Sequence, residues 1–234
     1  MKKYAALGML IVLLITCLNL QAQSQISYAI KAGANFSNST HQNMNSDMNS
    51  RMGYHFGLIA HKQYSDHFFL RSGIEFTAKG AKGDVQWTNN PESSTYPSES
   101  IQSWTYRLNY LQIPILAGYK YSLSSSTKLL INAGPYLSYG IYAREKYIYS
   151  YYKLPQYLPY TLTHTTIQKK GFGDAGLDKF DFGIIGGIGI EYNQYLLNIN
   201  YEAGVLNLMS GYDGGNPSWK NQNITISVGY FFKK

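Results

Sequence analysis

Few residues in this 234-residue chain have the types and spacing of a known binding site. The segment GFGDAG at 171–176 fits the G-x-G-x-x-G pattern that binds dinucleotide phosphates. That motif requires a preceding strand and a following helix, whereas here TTIQKK precedes it and a glycine-rich segment follows, so a loop is favoured. Asp174 and Asp178 could hold calcium with loop carbonyls, but a solvated loop is again the favoured interpretation.

The histidines and the single cysteine do not build a site either. His55 and His61 share one face of an alternating segment, but six residues of strand separate them by about 20 Å, so they cannot ligate one ion. The serine, histidine and aspartate residues that a hydrolase needs are present, yet no spacing orders them into a triad. Cys17 lies in a segment that we expect to be removed, which excludes disulfides and thiol catalysis. No catalytic, metal or cofactor site is predicted.

Charged residues on the small, polar faces of the alternating segments are more informative. Buried charges persist only if they are paired and hydrogen-bonded, so a closed interior containing them requires ion pairs. The sequence therefore predicts an interior charge network, with Asp181 near one rim and a selective conduit as the alternative. Its candidate members are Lys31, Arg71, Glu75, Glu191 and Glu202.

The elements that would position these charges are strands, because apolar and small residues alternate with period two. Three links between them are short, namely QYSDH, SLSSS and NQ, and four are long and polar: 37–50, 80–103, 143–176 and 207–220. Eight strands with alternating short and long links are typical of an outer-membrane barrel. The alternating segments are 26–36, 52–60, 68–79, 104–119, 129–141, 180–192, 195–205 and 223–232.

The fourth segment changes parity. Trp104, Tyr106, Leu108 and Tyr110 share one phase, and the apolar residues from Leu111 onward share the other. A bulge near Tyr110 would bring both rows to the same face.

Composition indicates which face meets water. Only 14% of residues are charged, against roughly 25% in soluble domains, and there are 23 tyrosines. A soluble ligand-binding barrel would need lysines and glutamates on its outward face, whereas these polar rows are glycine, serine, threonine and asparagine, which suit a narrow, filled interior. We therefore predict an all-β, eight-stranded antiparallel up-and-down transmembrane β-barrel with short periplasmic turns and long extracellular loops.

The N-terminus predicts export. Lys2 and Lys3 precede the apolar run AALGMLIVLLI, and LNLQA offers a cleavage site after Ala22, which is the pattern of a secretory signal. We expect residues 1–22 to be a signal peptide and 23–234 to be one outer-membrane barrel domain of a Gram-negative cell.

Four segments carry a resemblance to a known family: KAGANFSN at 31–38, NYLQIPILAGYKY at 109–121, AGPYLSYGI at 133–141 and FDFGIIGGIGIEY at 180–192. With them the mature chain resembles the PorT-like outer-membrane β-barrel proteins of Bacteroidota. The resemblance implies a barrel scaffold, and the founding member's association implies a role accessory to secretion or assembly of proteins at the outer membrane. Asn200, before Tyr201, stands where the family has a basic residue.

Three functions follow from this interpretation. The first is a non-catalytic scaffold that contacts outer-membrane lipid and, through loops 80–103 and 143–176, a protein partner; no nucleic-acid partner is predicted. The second is a narrow passive pore for small solutes, and the third is an outer-membrane barrel enzyme.

Overall fold

A computed structural model describes residues 26–42, 48–89, 98–153, 161–173, 176–209 and 218–232. The predicted signal segment therefore lies outside the described residues. Within them, no helix is long and apolar enough to cross a membrane.

The described chain is built from ten β-strands, all of whose pairings are antiparallel. The strands are β1 (Ile26–Gln42), β2 (Met48–Gln63), β3 (Phe68–Lys79), β4 (Ala81–Asn89), β5 (Ser98–Ser122), β6 (Thr127–Lys153), β7 (Thr161–Lys170), β8 (Phe180–Tyr192), β9 (Tyr195–Gly204) and β10 (Ser218–Phe231).

Eight of these strands close into a ring. The neighbours around the ring are β1, β2, β3, β5, β6, β8, β9 and β10, and β10 pairs again with β1. A closed ring leaves no unpaired sheet edge within the barrel wall. The predicted eight-stranded up-and-down barrel is confirmed.

The outer face of the ring is apolar and the inner face is polar along most of its length. Outward side chains such as Ile74, Ile131 and Val228 are 53%, 57% and 62% exposed, whereas Glu75, which follows Ile74 and points inward, is 4% exposed. The alternation predicted from the sequence therefore assigns large apolar residues to the outside and small polar residues to the inside.

The remaining strands, β4 and β7, extend the barrel at the end with the long links. β4 continues the direction of β3 after Gly80, whose φ of 142° is one that other residues rarely adopt. β4 pairs with β5, and β7 pairs with β6, giving an extension in the order β4-β5-β6-β7. Much of the predicted loops 80–103 and 143–176 is thus sheet.

The predicted bulge occurs at the expected level but in the partner strand. Asn109 pairs with Tyr142 and Tyr110 pairs with Gly140, so the extra residue is Ile141 of β6. β5 keeps its parity, and Leu108 and Tyr110 are fully buried inside the barrel. The bulge near Tyr110 is thus confirmed, but it does not bring the two rows of β5 to one face, because the extra residue belongs to β6. Sequence alternation does not show which of two paired strands carries the extra residue.

Candidate functional site

The barrel interior brings charged side chains into close pairs. Lys31 Nζ lies 2.6 Å from Glu75 Oε1, and Lys120 Nζ lies 3.4 Å from Glu191 Oε2. Lys31 and Glu75 reach each other from β1 and β3 across β2, whose Gly57 pairs with both. A Cβ on Gly57 would lie 2.9 Å from Glu75 Cγ, so the small residue leaves room for the pair.

The third pair is the centre of a larger network towards the long-link end. Lys79 Nζ lies 2.8 Å from Glu202 Oε2 and donates to Gln112 Oε1 at 2.8 Å. Gln112 and Asn223 donate to the Glu202 carboxylate at 3.2 and 3.1 Å. The Lys79 ammonium also lies 4.4 Å from the centre of the Tyr136 ring. This buried charge pair therefore has hydrogen-bond partners on several strands, as a pair out of water requires.

Arg71 is placed differently from the other predicted members. Its side chain is buried, its Nε and Nη2 have no hydrogen-bond partner, and its guanidinium lies 5.0 Å from the Phe69 ring. It borders a cavity of about 10 Å³ that Lys31 and Glu75 also line. A cavity of that size holds roughly one water molecule.

Two cations of the interior were absent from the candidates drawn from the sequence. Lys79 and Lys120 supply the partners of Glu202 and Glu191. Parity could have indicated both, since Lys79 shares the phase of Glu75 and Lys120 shares that of Gln112. Which cation meets which carboxylate depends on register between strands far apart in the sequence, and alternation does not report it.

Apolar clusters close the interior at both ends. At the short-turn end, Phe69, Leu130 and Phe231 are packed together and buried. At the other end, Phe172, Leu208 and Trp219 pack onto Tyr110 and its neighbours. Among the described residues, the Lys79–Glu202 network therefore lies between two apolar layers.

The G-x-G-x-x-G segment contributes to the apolar layer at the end with the long links. The Phe172 side chain is buried and its ring centre lies 5.3 Å from that of Tyr110. Gly140 receives it, because a Cβ there would lie 2.3 Å from Phe172 Cζ. Strand β8 follows the segment, so the helix that a dinucleotide site needs is not in that place. Asp174, one of the two candidate calcium ligands, lies outside the described residues.

The two histidines of β2 lie in different surroundings. His55 Nδ1 lies 2.6 Å from Asn35 Oδ1, whereas the His61 ring stacks on Phe69. Across the described ranges, no group of three or more histidine, cysteine or acidic side chains has a geometry that could hold a metal ion.

The extension sheet presents backbone at both of its sides. β7 pairs only with β6 through ten residue pairs, and from residue 84 onward β4 pairs only with β5, within the part of the chain that the structure describes. Strands with one unpaired side offer N–H and C=O groups to another extended chain. Among the described strands, β7 has one paired neighbour, β6, and the outer part of β4 has one paired neighbour, β5.

Comparison of the sequence with protein families gives one match that spans most of the chain. The family described as outer membrane protein beta-barrel domain matches residues 21–210. No curated protein matches the sequence closely enough to count as a relative.

Three solved structures illustrate what the chain is similar to. The attachment invasion locus protein Ail of Yersinia pestis is 12% identical, with 88% of this chain and 98% of that chain covered and a TM-score of 0.33. OprG from Pseudomonas aeruginosa is 12% identical, with coverages of 92% and 100% and a TM-score of 0.38. Neisserial surface protein A is 12% identical, with coverages of 88% and 98% and a TM-score of 0.34.

Proposed function

Because the chain belongs to the outer membrane protein beta-barrel domain family, we propose that it is a non-catalytic outer-membrane barrel whose extension sheet binds a protein partner. Outer-membrane localisation follows from the family. The observation that carries the proposed role is the sheet β4-β5-β6-β7, which continues beyond the closed ring and, among the described strands, ends at β7.

The length of the central strands supports a role outside the membrane. A membrane-spanning strand needs about 9–11 residues. β5 has 25 residues and β6 has 27, so each continues well past the membrane. Long paired strands position β7 more firmly than an irregular loop would. An extended segment of a partner could therefore add to β7 by main-chain hydrogen bonds.

The filled interior favours this role over a passive pore. The Lys79–Glu202 network and the apolar layers occupy the lumen at successive levels. An eight-stranded barrel has an interior just wide enough for its own side chains. The interior network then acts as a structural filling rather than as a conduit.

The resemblance to the PorT-like barrels of Bacteroidota supports a more specific proposal. In it, the partner belongs to the machinery that secretes or assembles proteins at the outer membrane. Residues 1–22 would be the signal peptide that directs export, and 23–234 the mature barrel domain.

The test removes the outer part of one hairpin and keeps the barrel. Ile148 and Thr166 are cross-strand partners, so replacing residues 149–165 by Asn-Gly closes the shortened hairpin with a two-residue turn. We expect proteins that co-purify with the full-length chain from native outer membranes to be lost. Folding is checked by the difference in gel migration between unheated and boiled samples.

A matched deletion on the other hairpin provides the control. Val85 and Gln102 are cross-strand partners, and replacing residues 86–101 by Asn-Gly leaves β7 intact. We expect this variant to keep the partner. If neither deletion changes what co-purifies, or if the full-length chain conducts ions in planar bilayers, the proposed function is wrong.

A further inference from the structure

Three cations face one another across the strands where the barrel wall gives way to the extension sheet. Arg107 of β5 pairs with Arg144 of β6, and Arg144 pairs with Lys170 of β7. Like charges directly opposite in a sheet are destabilising. A row of three on adjacent strands therefore indicates that an anion from outside the chain offsets the repulsion.

Two further cations extend this row outward. Lys82 of β4 and Lys146 of β6 both pair with Thr105, one outward step beyond Arg107. Both side chains are exposed. We call Lys82, Arg107, Arg144, Lys146 and Lys170 the basic patch.

The acids close to the basic patch do not neutralise it. The Lys31–Glu75, Lys79–Glu202 and Lys120–Glu191 pairs are all inside the barrel, and none uses a residue of the patch. Glu145 turns to the other face, where it accepts from the Tyr106 hydroxyl at 2.7 Å. Asp84 is exposed one step further out, opposite Ser103. Arg107 and Lys170 are exposed and Arg144 is half-buried, so the row is open to a ligand from outside.

The basic patch adjoins the lipid-facing belt. Leu108 and Ala143, beside Arg107 and Arg144 in sequence, are fully buried inside, so the two arginines lie on the opposite, outer face. Tyr142, which is 43% exposed, precedes Arg144 by two residues, or about 7 Å along the strand. Tyrosines at this level are typical of the membrane–water interface. The cations therefore lie at the height of lipid headgroups, at the end with the long links.

The geometry points to a binding site for the phosphate groups of an outer-leaflet glycolipid of the lipid A type. Arginine presents paired N–H donors that match phosphate oxygens, and lysine adds point charge. Acyl chains of the same molecule would lie along the apolar wall below, where Leu111 and Ile141 are exposed. One lipid molecule would thus contact both the cations of the basic patch and the apolar wall beneath them. A free phosphate would contact only the cations.

Native mass spectrometry of the full-length folded protein in detergent tests this site with bisphosphorylated lipid A as the probe. We expect Arg107→Gln/Arg144→Gln to bind it about tenfold or more weakly, since cations near a membrane surface contribute substantially to binding anionic headgroups. The control is Lys62→Gln, which removes an outer-face charge at the short-turn end and should bind as the unchanged protein does. Heat-dependent gel migration verifies that both variants are folded.

Two further arms distinguish the source of the phosphate. Lipid A stripped of both phosphates should bind weakly and without a difference between the variants. Pyrophosphate in solution should not displace bisphosphorylated lipid A at equal concentration. Equal binding by the arginine variant and the unchanged protein, equal binding of stripped lipid A, or displacement by pyrophosphate would each overturn the proposal.

Discussion

At the scale of single residues, the interior is organised by which cation meets which carboxylate. Lys31, Lys79 and Lys120 each have a carboxylate partner from a different strand, and the five candidates from the sequence contain only one of these lysines. Strand parity identified inward charges because a strand has a period of two. It did not identify the pairs, because pairing depends on register and on side-chain length across the lumen.

The Lys79–Glu202 pair gives a residue-scale prediction. Glu202→Gln leaves the buried Lys79 ammonium without its counter-charge, and we expect it to lower the free energy of unfolding by about 3–5 kcal/mol. Lys79→Met/Glu202→Leu removes both charges, and we expect a smaller loss because no isolated charge remains buried. Urea unfolding in phospholipid vesicles, followed by gel migration, measures both values.

The control for this pair is a surface acid. Asp66 is exposed in the turn between β2 and β3, and Asp66→Asn should change stability by less than about 0.5 kcal/mol. A double substitution that costs as much as Glu202→Gln would contradict the view that the unpaired charge is the main penalty.

At the scale of elements, the alternating segments predicted the ring strands well and the extension strands poorly. β8 reads Phe-Asp-Phe-Gly-Ile-Ile, and its apolar rows show directly which residues face lipid. β7 reads TLTHTTIQKK, which has no apolar row, and its described side chains, Thr166, Ile167, Gln168 and Lys170, are exposed. Strands outside a core carry no hydrophobic period, so sequence patterning assigned this region to a loop.

The direction of the barrel gives an element-scale prediction. Ser124 is exposed in the short turn between β5 and β6, and Gln168 is exposed in β7 at the opposite end. Short turns of such barrels face the periplasm. With a membrane-impermeant maleimide, Gln168→Cys should label on intact cells and Ser124→Cys only after the outer membrane is permeabilised. The reverse labelling pattern would invert the orientation and remove the basis for an extracellular partner surface.

At the scale of the whole molecule, the low charge content and the closed ring have one physical explanation. Backbone groups in lipid must be satisfied within the protein, and a closed barrel does this without an edge. The outward face then needs apolar side chains, and the 14% charged residues are concentrated inside, at the basic patch and in the links. This pattern does not identify a partner, because surrounding lipid and a packed interior require the same alternation in any barrel of the class.

Which face meets lipid is the last prediction, and single-tryptophan proteins measure it. Ile74 points outward and is 53% exposed, whereas Trp219 is fully buried inside. One protein carries Ile74→Trp with Trp87, Trp104 and Trp219 changed to Phe, and the other keeps only Trp219. Because position 74 contacts acyl chains, we expect brominated phospholipid to quench its fluorescence strongly and that of Trp219 weakly.

Unheated samples of both proteins should migrate differently from boiled ones, since the closed ladder persists without heating. Equal quenching of two folded proteins would mean that the apolar face is not the lipid-facing face.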